Sequence, residues 1–160
     1  MGEGFVYNYR HQRRIKVKTD VLNIEIKENP EKTENEIIEK NLYAFNDEFF
    51  GKPYDFSVFL KDNNNKIQGG IIAQLRLKLK LLYLDFIWID PAFRKRGFGR
   101  KIVDIAEKIA RNKGCKFAEL ETLDFQAEDF YKKLGYCRFG VIKEYMGNYD
   151  YVFMRKTLDE

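Results

Sequence analysis

The stretch from Ile87 to Lys101, IWIDPAFRKRGFGRK, constrains this chain more than any other. An apolar run stops at Asp90-Pro91, and a basic loop with glycines at 97 and 99 follows. A long amphipathic pattern then begins, with Ile102, Val103, Ile105, Ala106, Ile109 and Ala110 as its apolar stripe and Gly114 as its natural stop. The pattern reads strand, cationic glycine loop, helix. Glycine lets the backbone come close to a ligand, and the first turn of a helix carries N–H groups with no intrahelical partner. The arrangement is therefore suited to holding phosphate groups.

The flanking segments build a sheet around this unit. Val21–Ile26 mostly alternates apolar and polar residues and predicts a strand, broken by Asn29-Pro30. Thr33, with Glu36 three residues on, reads as a capping box. It opens a helix whose apolar residues Ile37, Ile38, Leu42, Phe45 and Phe49 recur at helical spacing, and which ends at Gly51-Lys52-Pro53. Phe56–Leu60 is a short strand, and the turn over Asp62–Asn65 returns the chain antiparallel into Ile67–Leu75. Gly69-Gly70 predicts a bulge or a close backbone approach there. Leu77–Ile89 reads as one strand, or two broken near Lys80. After the amphipathic helix come a strand (Phe117–Thr122), a short helix (Ala127–Leu134) closed by Gly135, and two strands (Tyr136–Ile142 and Tyr149–Arg155) around Gly147-Asn148. The order β–α–β–β–β–α–β–α–β–β predicts an α/β fold of the α+β type, with a single mixed, mostly antiparallel sheet and helices on both faces.

Bulk properties exclude several classes. A chain of 160 residues with 44% hydrophobic and 16% aromatic content fits one globular domain. No apolar run approaches bilayer length, and the N-terminus lacks a signal-peptide core, so no membrane role is expected. Cys115 and Cys137 belong to no C-x-x-C pattern, which points away from disulfide or zinc frameworks and toward a reducing cytoplasm. His11 is the only histidine and has no second one with which to share a metal, so no metal is expected. Residues 1–20 carry Arg10, Arg13, Arg14, Lys16 and Lys18. An arm for nucleic acid would look like this. So would a solvated extension or edge strand, which is the reading adopted because these residues are not interleaved with a helical apolar face. A net charge of +4 suits an anionic small molecule as well as it suits nucleic acid.

Two other phosphate motifs compete for the loop. Glu119 and Glu121 lie about twenty residues beyond it, where a dinucleotide-binding fingerprint places its ribose acid. Against that motif, Ile102 stands at its third glycine position, the approach from Ile89 to Gly97 is too long, and other strands precede this one. A Walker loop is excluded because no G-K-[ST] follows. The remaining pattern, Arg94-x-x-Gly97-x-Gly99 after Asp90-Pro91, strongly resembles the pyrophosphate-binding motif of the GNAT superfamily of acyl-CoA-dependent N-acyltransferases. The segment from Ala127 to Tyr136, AEDFYKKLGY, is similar to the later signature of that superfamily. Gln126-Ala127 and the closing YVFMRK resemble its small bacterial acetyltransferase branch. The resemblance runs from about Val21 to Leu158, which leaves 1–20 as a basic N-terminal extension and 21–160 as the transferase-like domain.

This resemblance implies acetyl-CoA as co-substrate and direct attack by a primary amine within a ternary complex. The acceptor would be an amine-bearing small molecule or peptide. It also leaves open a homodimer and, as an alternative function, a non-catalytic acyl-CoA sensor. The backbone of Arg96–Arg100, namely Arg96, Gly97, Phe98, Gly99 and Arg100, would cradle the pyrophosphate, with Arg94, Lys95, Arg96, Arg100 and Lys101 supplying positive potential. The main chain of Ile87, Trp88 and Ile89 would pair with the amide-bearing arm of the coenzyme, and an N–H near Ile89 would serve the oxyanion. Tyr131 matches the family's general acid at the thiolate. Asp85, taken to share a strand face with Ile87 and Ile89, and Glu121 are candidates for the base, or else ordinary solvated carboxylates. Asp124 stands where many members carry Asn and cannot donate when ionised, so Gln126 would compensate toward the coenzyme. The acceptor pocket is expected from Tyr43, Phe45, Asp47, Glu48, Phe49, Phe50, the Lys80 region, Tyr145 and Tyr149.

Overall fold

The computed structural model describes residues 24–158 in full and the backbone of 5–8 and 13–16. The chain divides into two compact units, Met1–Asn41 and Leu42–Glu160. In the first, β1 (Phe5–Asn8) and β2 (Arg13–Lys16) pair as an antiparallel hairpin with Phe5 opposite Lys16. Residues 24–27 are not in a strand, and Ile24 and Ile26 are exposed, so the strand expected over Val21–Ile26 does not form across its described part. Residues 21–23 lie outside the described residues. Helix α1 (Lys32–Phe50) starts one residue before Thr33, which removes Thr33 from the cap position. Glu34 takes over part of that role, because its carboxylate accepts the Glu31 N–H at 3.3 Å and pairs with Lys27. The helix ends at Gly51, whose φ of 72° is left-handed and whose N–H bonds the Asp47 carbonyl at 2.9 Å.

The second unit is a six-stranded sheet. Its strands are β3 (Tyr54–Lys61), β4 (Ile67–Arg76), β5 (Leu81–Ile89), β6 (Phe117–Leu123), β7 (Cys137–Met146) and β8 (Tyr149–Thr157), in the order β3-β4-β5-β6-β8-β7. Every pairing is antiparallel except β5 with β6, which confirms a mixed, mostly antiparallel α/β fold. The break near Lys80 is real, but the residues before it form a single 3-10 turn (Leu77–Leu79) with Lys80 left-handed at φ 52°. Gly69 and Gly70 are present because the strands approach closely. A Cβ on Gly69 would sit 2.7 Å from the Trp88 carbonyl oxygen, and one on Gly70 would sit 2.7 Å from that of Val58.

One face of the sheet carries the core. Alternation along the strands buries Ile71, Ala73 and Leu75, then Leu82 and Leu84, Ala118 and Leu120, and Val152 and Met154. Helices α2 (Phe98–Asn112) and α3 (Glu128–Lys132) close this face with Ile102, Val103, Ala106, Ala110 and Tyr131. Burial of side chains the size of Ile102 and Val103 contributes about 1.5–3 kcal/mol each. The charged residues that reach this core are paired. Glu107 binds Lys156 at 2.7 Å and accepts the Tyr136 hydroxyl at 3.1 Å, and Glu128 binds Arg138 and Lys132.

Candidate functional site

The site begins where the parallel pairing ends. Strands β5 and β6 stay in register only from Leu81 opposite Phe117 to Tyr83 opposite Glu119. Strand β5 then continues to Ile89 and β6 to Leu123 without pairing each other. The splay opens a cleft of about 1010 Å³, walled by β5, the loop after it, the start of α2, the end of β6 and α3.

The side of β5 left open can be read from its hydrogen bonds. The Asp90 N–H donates to the Gln68 carbonyl on β4 at 2.8 Å. Successive residues of a strand point their main-chain groups to opposite edges. Trp88 therefore shares the β4 side with Asp90, and Ile87 and Ile89 turn their N–H and C=O groups toward the cleft. The Ile89 carbonyl is already used, since Arg94 Nε donates to it at 2.8 Å and folds the loop back on the strand. Trp88 is 51% exposed, so its indole is a wall residue and not core.

The loop is shaped by its own residues. Asp90 accepts the Ala92 N–H at 2.8 Å and opens a 3-10 turn over Pro91–Phe93. Lys95 and Gly97 then take positive φ, 58° and 82°. Gly97 caps α2, and its carbonyl receives the Lys101 N–H at 3.1 Å. The backbone amides of the first turn thus keep no intrahelical partner. Gly99 has a separate reason to be glycine: a Cβ there would meet the Phe130 ring at 3.1 Å. Arg100 ties the same two helices together, its guanidinium donating to the Lys133 carbonyl at 2.8 Å.

The charge in the cleft is divided. Arg94, Lys95, Arg100 and Lys133 line it at the helix end, and Asp85 and Glu121 line it along the strands. Arg96 and Lys101 do not reach it, because their cationic groups lie over the rings of Phe93 and Phe98. The cleft is also lined by Ile87, Trp88, Ile89, Gly97, Phe98, Gly99, Gln126 and Tyr131. Tyr131 is 4% exposed, packs edge-on against Phe130 and Tyr136, and its hydroxyl has no hydrogen-bond partner among the described residues. Burial raises its pKa well above the ordinary tyrosine value, so the phenol keeps its proton.

One expectation about the carboxylates changes. Asp85 does not share a face with Ile87 and Ile89. Residues Ile72 and Ala73 of β4 pair with Phe86 and Leu84, so Asp85 is the extra residue of a β-bulge, and Ile87 and Ile89 continue the face of Leu82 and Leu84. Glu121 projects from the sheet face opposite Leu120 and Thr122, beside Tyr83 and Tyr151. Burial and then the Glu121 carboxylate push both tyrosines up, Tyr151 to about 12.

The expected acceptor wall is also revised. None of Tyr43, Phe45, Asp47, Glu48, Phe49, Phe50, Lys80, Tyr145 or Tyr149 lines the cleft. Lys80 lies at the far end of β5, where its carbonyl receives the Lys116 N–H at 2.7 Å. Tyr145 stacks on Tyr151, and Tyr149 stacks on Phe125. Asp124 accepts the Phe125 N–H at 2.8 Å and shapes the turn, so its difference from Asn is absorbed locally. The sequence reading missed Lys133, Phe130 and Thr122 as lining residues. Of these, Lys133 carried a signal in its charge and Phe130 in the Phe-Tyr signature, whereas Thr122 carried none. Among the described residues there is no group of three His, Cys, Asp or Glu side chains placed to hold a metal, and no helix long and apolar enough to cross a membrane.

Comparison with known proteins finds acetyltransferases. The sequence profile of the Acetyltransferase (GNAT) family matches residues 19–136. A blasticidin-S acetyltransferase from Streptomyces morookaense is 30% identical over 91 residues, 56% of this chain and just under two thirds (65%) of that protein. The crystal structure of an acetyltransferase from Bacillus cereus ATCC 14579 superposes with a TM-score of 0.70 at 30% identity, covering 83% of this chain and 97% of that one. An aminoglycoside 6'-N-acetyltransferase solved with coenzyme A shares the fold, with a TM-score of 0.59 at 22% identity over 73% of this chain and 80% of that one.

Proposed function

The chain belongs to the acetyltransferase (GNAT) family, and we propose that it transfers an acetyl group from acetyl-CoA to a primary amine by direct attack within a ternary complex. The observation that carries this reading is the splay of β5 from β6 beside the N-terminus of α2. It brings an unpaired strand edge, a cationic helix N-terminus and a proton-bearing phenol around one cleft. That a structure of this fold was solved with coenzyme A supports the choice of donor.

Each residue then has a task. The amides from Arg96 to Arg100 hold the pyrophosphate, aided by the charges of Arg94, Lys95, Arg100 and Lys133. The main-chain groups of Ile87 and Ile89 receive the amide-bearing arm in the manner of an added strand. The Ile89 N–H, whose carbonyl is already bonded by Arg94, donates to the carbonyl oxygen as it gains charge. The neutral amine forms the new C–N bond, the C–S bond breaks, the Tyr131 hydroxyl gives its proton to the departing sulfur, and the second proton released by the acylated nitrogen returns to Tyr131 through water. The proton lost by the incoming ammonium leaves through water on the side of Asp85 and Glu121. A non-catalytic acyl-CoA sensor has no use for a phenol whose hydroxyl stays unbonded at the wall of the cleft, so Tyr131 favours the enzyme.

The test is release of coenzyme thiol from acetyl-CoA, followed with a thiol reagent across a panel of amines. Amine-dependent release with formation of the N-acetyl product is expected. Tight acetyl-CoA binding with no release for any amine would instead establish the sensor.

A further inference from the structure

Arg94 differs from the other arginines of its loop in what its side chain holds. Arg96 lies over the Phe93 ring, and Arg100 ties α2 to α3 through the Lys133 carbonyl. Arg94 lines the cleft, and its Nε donates to the Ile89 carbonyl at 2.8 Å. The peptide unit it grips joins Ile89 to Asp90 and is the last of β5. The opposite side of that unit is held as well, because the Asp90 N–H donates to the Gln68 carbonyl at 2.8 Å. Between the two anchors the chain is a closed turn: Asp90 accepts the Ala92 N–H, and the Arg94 N–H donates to the Pro91 carbonyl at 3.3 Å. One peptide plane is thus fixed from both edges, at the end of β5 that no longer pairs with β6. The same bond removes an acceptor from the open edge. Ile87 offers both its N–H and its C=O there, whereas Ile89 offers only its N–H.

We propose that Arg94 is a positioning residue: through the Ile89 carbonyl it sets the register in which the acyl-CoA arm pairs with β5, a task separate from the charge it lends to the phosphates. The inference rests on the transferase reading and concerns the geometry of the same site. The coenzyme arm carries amide N–H donors, and a free Ile89 carbonyl would accept one of them. Pairing one repeat further along the edge moves the thioester by two residues of strand rise, about 7 Å. That shift carries the reacting carbon away from the Tyr131 hydroxyl, and a misplacement of even ~1 Å costs about 10² in rate. With the Ile89 carbonyl closed by a side chain from the phosphate loop, one pairing remains, and it is tied to the grip on the pyrophosphate.

Three substitutions separate position from charge. The Gln amide nitrogen stands as many bonds from Cα as Arg Nε does, so Arg94→Gln keeps the donor and loses the charge. Arg94→Met places a methyl group there, and Arg94→Lys keeps the charge but places a methylene there. The first readout is amide hydrogen exchange without coenzyme, with Ala106, buried in the middle of α2, as the folding reference. Exchange at Asp90 should quicken about tenfold in Arg94→Met and Arg94→Lys and much less in Arg94→Gln, with Ala106 unchanged. The second readout is steady-state thiol release. Arg94→Met should lower kcat about tenfold and Arg94→Lys nearly as much, whereas Arg94→Gln recovers most of kcat and shows its lost charge as a raised KM for acetyl-CoA. Asp90 exchange at the wild-type rate in Arg94→Met, or kcat recovered by Lys and not by Gln, overturns the proposal. No release from any amine in the unsubstituted protein, with the expected exchange pattern, removes the transferase and keeps Arg94 as the residue that fixes the edge for an acyl-CoA arm.

Discussion

At the scale of single residues, the site depends on a few side chains whose reasons differ. Tyr131 is held by Phe130 and Tyr136 and carries a proton that burial prevents it from losing. Tyr131→Phe keeps the packing and removes the proton, so kcat should fall by about 10²–10⁴ with donor KM little changed, as read in steady-state kinetics. The two loop glycines fail in different ways. Gly97 has left-handed φ and open space around it, so Gly97→Ala should cost about 1–2 kcal/mol in denaturant unfolding, and Gly97→Asn should recover part of that because Asn tolerates the conformation. Gly99 is helical, and its limit is Phe130 at 3.1 Å. Gly99→Ala should therefore displace the Phe130 ring and weaken acetyl-CoA binding more than it lowers stability. The glycine spacing and the FY pair were legible in the sequence because loop and helix chemistry are local. That Gly99 touches Phe130 was not, because the contact joins residues thirty-one positions apart.

At the scale of elements, β5 decides the site, and the sequence was least informative about it. Its run of Leu, Tyr, Phe, Ile and Trp reads as strand from either edge. The bulge that isolates Asp85 depends on how β4 pairs, and a period of two counted on one strand cannot reveal it. The same ignorance of partners assigned Trp88 a main-chain role on the cleft, although alternation from Asp90 turns its amide to β4. Aromatics in α1, β7 and β8 were expected at the acceptor because composition does not say which face a side chain takes. The described part of the strand expected over Val21–Ile26, residues 24–26, fails for a similar reason: alternation permits a strand, but pairing makes one. Gly69-Gly70 was read correctly, and it offers a test of this element. The added methyl of Gly69→Ala would press on the Trp88 carbonyl at 2.7 Å, which is main chain and cannot rotate away. Stability should fall by about 1–3 kcal/mol, and acetyl-CoA affinity should fall with it because β5 is displaced.

At the scale of the whole molecule, a mixed, mostly antiparallel sheet was predictable from the element order, whereas the strand order and the paired charges around the core were not. Glu128 is the clearest of these. The Arg138 guanidinium, with Lys132, holds its carboxyl down to about 2. A depressed acid stabilises the folded state above its unfolded pKa, so this contribution should be full above about pH 4.5 and lost as pH falls toward about 2. Acid unfolding followed by circular dichroism should show a midpoint displaced upward in Arg138→Met, with a cost at neutral pH of about 1–3 kcal/mol because Arg138 is partly exposed. The central claim is that the splayed edge of β5 and the first turn of α2 together receive acetyl-CoA. Amide hydrogen exchange resolved by residue, with and without acetyl-CoA, tests it most directly. Protection should rise at Ile87, Ile89 and from Arg96 to Arg100, while Trp88, already bonded to β4, should not change. Saturation with acetyl-CoA that leaves the Ile87 and Ile89 amides exchanging as before would contradict the account.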